Sequence, residues 1–246
     1  MVATKEDPYI TEKIPERRFI VYKTSIDPTV IKLAVEAIKK DLFAEMGFLK
    51  TKLEDILCVS IDRYYEPYIF LDGKYSIEYY SKFSFTLQVD EDPQEIIILG
   101  KKFRPKIVKD PEKGDFKEIT LEAEKHFLHE KKVNLILDKA GREVSFEQMP
   151  IAASEEDPQK ILEAFKERVE DLQVAPNEEI EILRSKIAQR PKEIDKIATE
   201  LFEVSERAVI YTPIYGITFQ NAETGEKRIV KMDGVNARIK TDSLDN

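Results

Sequence analysis

Between Tyr75 and Val89 the odd positions read Tyr, Ile, Tyr, Ser, Phe, Phe, Leu, Val, and the even positions read Ser, Glu, Tyr, Lys, Ser, Thr, Gln. Successive side chains of a strand point to opposite faces, so this pattern predicts a strand with a buried odd face and a wet even face. Leu57, Val59, Ile61, Ile69 and Leu71 extend the odd series upstream, and Asp72-Gly73-Lys74 has the residues of a tight turn. The expectation is a long β-hairpin closing at Gly73. Pro67, which lacks an amide donor, marks an edge, a bulge or a break in its first strand. Tyr75, Tyr79, Phe83 and Phe85 then belong to the core. Tyr64, Tyr68 and Phe70 share the even face of the first strand, and Tyr80 stands among polar neighbours, so this sheet's own core does not account for them.

Upstream, an extended arm over residues 1–18 precedes a short strand, RFIVYKT, at Arg18–Thr24. Asp27 and Pro28 supply an N-cap and a first helical residue. Ile31, Val35, Ile38 and Leu42, with Ala34 beside them, recur at helical spacing, and Gly47 is placed to end that helix. Downstream, strands are predicted at Glu95–Leu99, Lys117–Leu128 and Val133–Asp138. The last two are joined by the tight link His129–Lys132, and a further hairpin closes through Lys139–Arg142.

The pattern changes near Phe146. Met149–Gln159 reads as a linker ending in a second Asp-Pro helix start at Asp157-Pro158, followed by the stripe Ile161, Phe165, Val169 and Leu172. Asn177 is expected to cap a second helix with Ile180, Leu183 and Ile187, and Pro191 to open a third with Ile194, Ile197, Ala198 and Leu201. Strand then returns at Arg207–Gln220, turns over Asn221–Glu226, and runs back through Arg228–Met232. Asp233-Gly234 turns it into Val235–Lys240, and the tail TDSLDN is expected to fray. The fold class that follows is α+β: a mainly antiparallel sheet of long hairpins with one early helix and a three-helix insert before a C-terminal hairpin. Residues 1–148 form the mainly β part, and residues 149–246 the helical segment and last hairpin.

Two stretches echo one another. Tyr65-Glu66-Pro67-Tyr68 and Tyr211-Thr212-Pro213-Ile214 each follow a Val-Ser pair and precede a Gly-containing turn. A duplication would make them two related hairpins, each with a proline kink exposing aromatic rings. Chance remains the competing account, because Tyr and Pro are common at strand edges.

Charge and composition narrow the function classes. Lys and Arg total 39 against 48 Asp and Glu, a net charge of −9. Binding to nucleic acid rests on neutralising phosphates, so an acidic chain argues against it. The one basic run, Lys101–Lys109, leads directly into Asp110, Glu112 and Asp115. No window reaches the roughly 18 apolar residues of a membrane span, and the charged start is unlike a secretory signal. With the single Cys58 forming no internal disulfide, a cytoplasmic location is expected. Abundant Lys, Glu and Ile with no Trp and few Cys, His, Asn and Gln resemble thermophile usage, pointing to a thermophilic prokaryotic source, an archaeon among the candidates.

Candidate chemistry is sparse. His126 and His129 are the only histidines, and positions three apart on a strand point to opposite faces, so they read as solvated residues rather than a metal pair. Cys58 in ILCVSI reads as a small buried hydrophobe. Neither a Gly-x-Ser-x-Gly elbow nor a phosphate-cradling glycine loop is present. No cofactor, catalytic residue or metal ligand is assigned. Asp62, Glu66 and Glu78 beside the aromatic hairpin would suit a sugar or base site, although carboxylates on a sheet are usually its solvated face. Asp90–Asp92 and Glu155–Asp157 precede prolines and read as turns.

The resulting expectation is a non-catalytic interaction module, subunit, adaptor or scaffold, binding a protein partner or a second copy of itself. Tyr64, Tyr68, Phe70 and Tyr80, with Tyr211 and Tyr215 of the echo, are the expected contacts, since Tyr offers a large apolar body with a polar tip. The alternatives are an enzyme of unfamiliar pattern, using carboxylates and tyrosines at a cleft between sheet and helices, and an acidic mimic of nucleic acid.

Overall fold

The computed structural model describes residues 10–44, 55–112 and 114–240, with backbone only for 38–44. Its elements in chain order are β1 (Thr11–Lys13), β2 (Arg18–Val21), α1 (Pro28–Ala44), β3 (Ile56–Val89), β4 (Ile96–Ile98), β5 (Lys101–Phe103), β6 (Lys106–Asp110), β7 (Gly114–Leu137), α2 (Pro158–Ala164), α3 (Pro176–Ile187), β8 (Lys196–Asn221) and β9 (Lys227–Asp233). The fold is α+β, mostly strand, in a mixed and largely antiparallel sheet. Neighbours run β1-β8-β3-β7-β6, β2 and β9 also pair with β8, and β4 and β5 form a sheet of their own. β2 pairs with β8 in parallel, from Arg18 beside Ala208 to Val21 beside Tyr211. The expected helix end at Gly47 and the frayed tail lie outside the described residues.

The chain forms two compact units. The larger takes Lys13–Lys74, Lys132–Ile187 and Glu203–Asn246, and the smaller Met1–Glu12, Tyr75–Lys131 and Ala188–Phe202.

In the larger unit, helices cover strands. Asp27 accepts the Thr29 amide (2.7 Å) at the start of α1. Ile31 and Val35 of that helix pack on Ile56, Tyr215, Ile217, Phe219, Val230 and Met232. This packing turns Ile56 inward and leaves Leu57 and Val59 exposed, reversing the expected facing at the start of β3. Asp157 accepts the Lys160 amide at the start of α2, as its Asp-Pro pair predicts. Phe165 just beyond that helix meets Tyr65 edge-on, with ring centroids 5.3 Å apart. Leu183 of α3 lies so close to β3 that a Cβ on Gly73 would come within 2.6 Å of it.

That contact explains the largest departure from the sequence reading. Gly73 does not turn the chain, and β3 runs unbroken through Asp72-Gly73-Lys74 for 34 residues. Glycine is present for close approach of a helix, not for reversal. The link expected at His129–Lys132 is likewise absent, because β7 continues from Gly114 to Leu137. The helix expected from Pro191 is replaced by β8, which starts at Lys196. The insert is α2, a single 3-10 turn at Lys166–Arg168, and α3. The short-range turns hold: Asp138 and Arg142 close a turn with Gly141 at φ 81°, and Asn221 and Glu226 another with Gly225 at φ 74°. Part of the expected linker pairs instead, with Lys23 donating to Ala153 and Glu155 to Val21.

β8 and β3 run antiparallel in this unit, since contacts climb one strand as they descend the other: Ser205 with Asp72, Thr212 with Glu66, Gly216 beside Asp62. The two Tyr-x-Pro segments therefore lie side by side. The Thr212 hydroxyl donates to the Glu66 carbonyl (3.3 Å) where neither Pro67 nor Pro213 has an N–H to offer. A fully buried carboxylate, Glu179 of α3, holds the unit's segments together. It accepts two bonds from Arg17 (3.2 and 2.6 Å) and one from Arg207 (2.6 Å).

The smaller unit is built from the Tyr75–Val89 part of β3, most of β7, the start of β8, and β4 to β6. Its buried apolar residues among those described are Tyr75, Ile77, Ile119 and Phe202. Glu200 is buried beside them, paired with Arg190 through both oxygens and accepting from the Tyr75 hydroxyl (2.7 Å).

Candidate functional site

Within the smaller unit, β3 and β7 form a ribbon with aromatic residues on both faces. On the odd face Tyr79 stacks on Phe127 (5.1 Å) and Phe83 on Phe85 (5.8 Å), and Lys125 sets its ammonium 4.3 Å from the centre of the Phe83 ring. This is the face expected to be core. Tyr75 and Ile77 are buried, but further along Phe85 is 44% exposed, Leu87 46% and Phe127 39%. Alternation specifies one apolar face, and among the described residues no helix of this unit covers its outer half. On the even face Tyr80 stacks on His126 (4.7 Å), and Glu78 bonds His126 (2.7 Å) and accepts from Thr199 (3.2 Å). His126, expected to be merely solvated, is thus engaged by a ring and a carboxylate.

The edge of this ribbon has a defined opening. The Asp195 amide donates to the Tyr80 carbonyl (3.0 Å), and its carboxylate accepts the Lys82 amide (2.6 Å). β8 begins one residue later, so it flanks β3 only up to Lys82. From Phe83 to Val89, β3 has β7 on one side, and among the described residues no strand lies on the other.

The remaining expected contacts lie in the larger unit, and most are occupied by their own chain. Tyr68 and Tyr215 are buried, at 8% and 4% exposure, which corrects their place on an accessible surface. Lys240 explains Tyr68: its ammonium bonds both the Glu66 carboxylate and the Tyr68 hydroxyl (2.6 Å), and that hydroxyl donates to Glu66 (3.2 Å). Tyr215 reaches the Ile26 carbonyl (3.4 Å). Phe70 packs edge-on against Phe146 (6.4 Å) and is half-buried, as is Tyr211, whose carbonyl takes the Tyr22 amide (2.9 Å). Asp62 meets Arg168 at 3.7 Å at the surface.

Tyr64 differs from these. Its hydroxyl is buried without a hydrogen-bond partner, and Lys231 lies 5.4 Å from its ring centre. Lys231 and Lys139 both bind Glu170. Burial alone would raise the Glu170 carboxyl, but the two lysines outweigh it and hold that group below its ordinary value. Burial, reinforced by the negative charges of Glu170 and Glu66, pushes the Tyr64 phenol well above its usual range, and burial with Glu66 does the same to Tyr68. Both phenols are therefore locked neutral. The cluster is a self-satisfied ionic network with one orphan hydroxyl.

A groove of about 560 Å³ lies between Lys32, Val35 and Glu36 of α1 and Cys58–Ile61 of β3. Cys58 is half-buried at its wall and packs against the apolar core beneath α1. Among the described residues no group of three or more His, Cys, Asp or Glu side chains is placed to hold a metal ion. No described helix is long and apolar enough to cross a membrane. Comparison with protein-family models, curated proteins and solved structures found no match for this chain.

Sequence reasoning missed Lys240, Lys139 and Lys231, as well as the buried Glu179 and Glu200. Glu200 had a signal. It shares parity with Phe202 and Val204 in β8, which is visible once the strand is started at Lys196 rather than Arg207.

Proposed function

We propose that this chain is a non-catalytic protein-interaction module, a subunit or adaptor that docks through the outer aromatic face of β3 and β7. The observation that carries this reading is the row Phe83, Phe85, Leu87 and Phe127 on one face of a ribbon, the last three substantially exposed. Contiguous exposed apolar side chains mark contact surfaces, and aromatic rings contribute most at them. The contact surface is thus moved from the tyrosines expected upstream to the phenylalanines of the outer ribbon. Tyr80 lies on the opposite face of the same ribbon.

The test uses the full chain expressed with a tag beside an untagged copy, and the same pair carrying Phe85→Ser with Phe127→Ser. Both positions are exposed, so the variant should keep the far-ultraviolet spectrum of the parent. A companion polypeptide, another protein or the untagged copy, recovered in fixed ratio with the parent and lost from the variant supports the reading. Equal recovery from both, or none from either, sinks it.

A further inference from the structure

We infer that this ribbon also pairs with a second copy of the chain, antiparallel through the open edge of β3 from Lys82 to Asp90. The inference goes beyond the docking role assigned above, since edge pairing engages the backbone margin and leaves the aromatic face itself uncovered.

The backbone supplies the first part of the argument. Tyr80 and Lys82 direct their polar groups toward Asp195, on the β8 side. Residues two apart on a strand point the same way, so Ser84, Thr86 and Gln88 direct their N–H and C=O groups to the same side, past the end of β8. An edge of this kind is a template for another strand.

The side chains decide which strand fits. The edge reads Lys-Phe-Ser-Phe-Thr-Leu-Gln-Val-Asp from Lys82 to Asp90. Rotated two-fold about Thr86, it opposes Lys82 with Asp90, Phe83 with Val89, Ser84 with Gln88, and Phe85 with Leu87. Every opposed pair matches: apolar with apolar on the odd face, polar with polar on the even face, and opposite charges at both ends. A two-fold interface makes each of these contacts twice. Parallel pairing in register would instead set Lys82 on Lys82 and Asp90 on Asp90, which repel. Moving the two-fold to Phe85 puts Gln88 opposite Lys82, and moving it to Leu87 puts Glu91 opposite Phe83. Of these three registers, the one about Thr86 alone both matches polarity throughout and sets opposite charges at its two ends. It also joins the exposed Phe85 and Leu87 of the two copies into one stripe on one side of a widened sheet, the side that carries Phe127.

Sedimentation equilibrium of the full chain over a wide concentration range tests this. The expected mass is twice 28.5 kDa, dissociating on dilution. Lys82→Glu and Asp90→Lys, each alone, should weaken the dimer about tenfold by placing like charges opposite one another, and the two together should restore it. Thr86→Pro should abolish it, because the lost N–H serves only the open edge and edge strands tolerate proline. Rescue by the double charge swap separates pairing in this register from a folding defect. A chain monomeric at every concentration, or a dimer indifferent to all these variants, overturns the inference. Should the monomer still lose a different companion protein on Phe85→Ser with Phe127→Ser, the docking face stands and only the self-pairing falls.

Discussion

One strand, β3, contributes to both units, and its two parts have opposite fates. In the larger unit Ile69 and Leu71 are sealed completely; in the smaller, Phe85 and Leu87 face solvent. Both parts carry apolar residues at these odd positions, while the even positions are aromatic at Tyr64, Tyr68 and Phe70 and mostly polar from Ser76 outward. What differs over the odd face is the covering layer. Leu183 of α3 sits close against Gly73 and Phe165 against Tyr65, whereas the outer ribbon has no described helix over its odd face. An amphipathic strand states that one face must leave water; it does not state whether its own chain or another molecule will cover it.

The contrast can be broken by substitution. The largest effect is expected at the carboxylate that holds the larger unit together. Glu179→Ala strands Arg17 and Arg207 in a buried site and should cost about 3–5 kcal/mol in denaturant unfolding. A loss below about 1 kcal/mol would mean that water reaches the site and compensates the arginines. Next comes a matched pair on β3 itself. Leu71→Ala should cost about 2–5 kcal/mol, and Leu87→Ala should stay within about 0.5 kcal/mol in the dissociated chain. Similar losses at both would show the outer ribbon to be as well packed as the inner part. The smallest effect has the opposite sign. Tyr64→Phe removes a buried hydroxyl that has no partner and should raise stability by about 1 kcal/mol. A loss of stability would show that the hydroxyl is satisfied after all.

Features governed by neighbours in sequence were the legible ones. Asp27-Pro28 and Asp157-Pro158 start helices and Asn221–Glu226 turns, since each is decided by a few adjacent residues. Gly73 misled because a glycine that admits Leu183 and a glycine that reverses the chain look alike in one dimension. His129–Lys132 read as a link because its residues are all polar. In the structure that part of β7 lies largely in solvent on both faces, so nothing selects for alternation. Ile194, Ile197, Ala198 and Leu201 fit helical spacing, but Glu200, Phe202 and Val204 turn inward together once β8 pairs in the sheet. As for the site, the aromatic surplus was legible and its distribution was not. Lys240, 172 residues after Tyr68 in the chain, decides that this tyrosine is interior.

Asp195 carries a consequence out of proportion to its size. By holding the amide of Lys82 and meeting the carbonyl of Tyr80, one acidic residue acts as a doorstop at the mouth of β8. Were β8 to start sooner and continue on the same path, its backbone would extend along the margin from Phe83 to Val89. Where that carboxylate sits thus meters how much of the margin stays vacant for a newcomer.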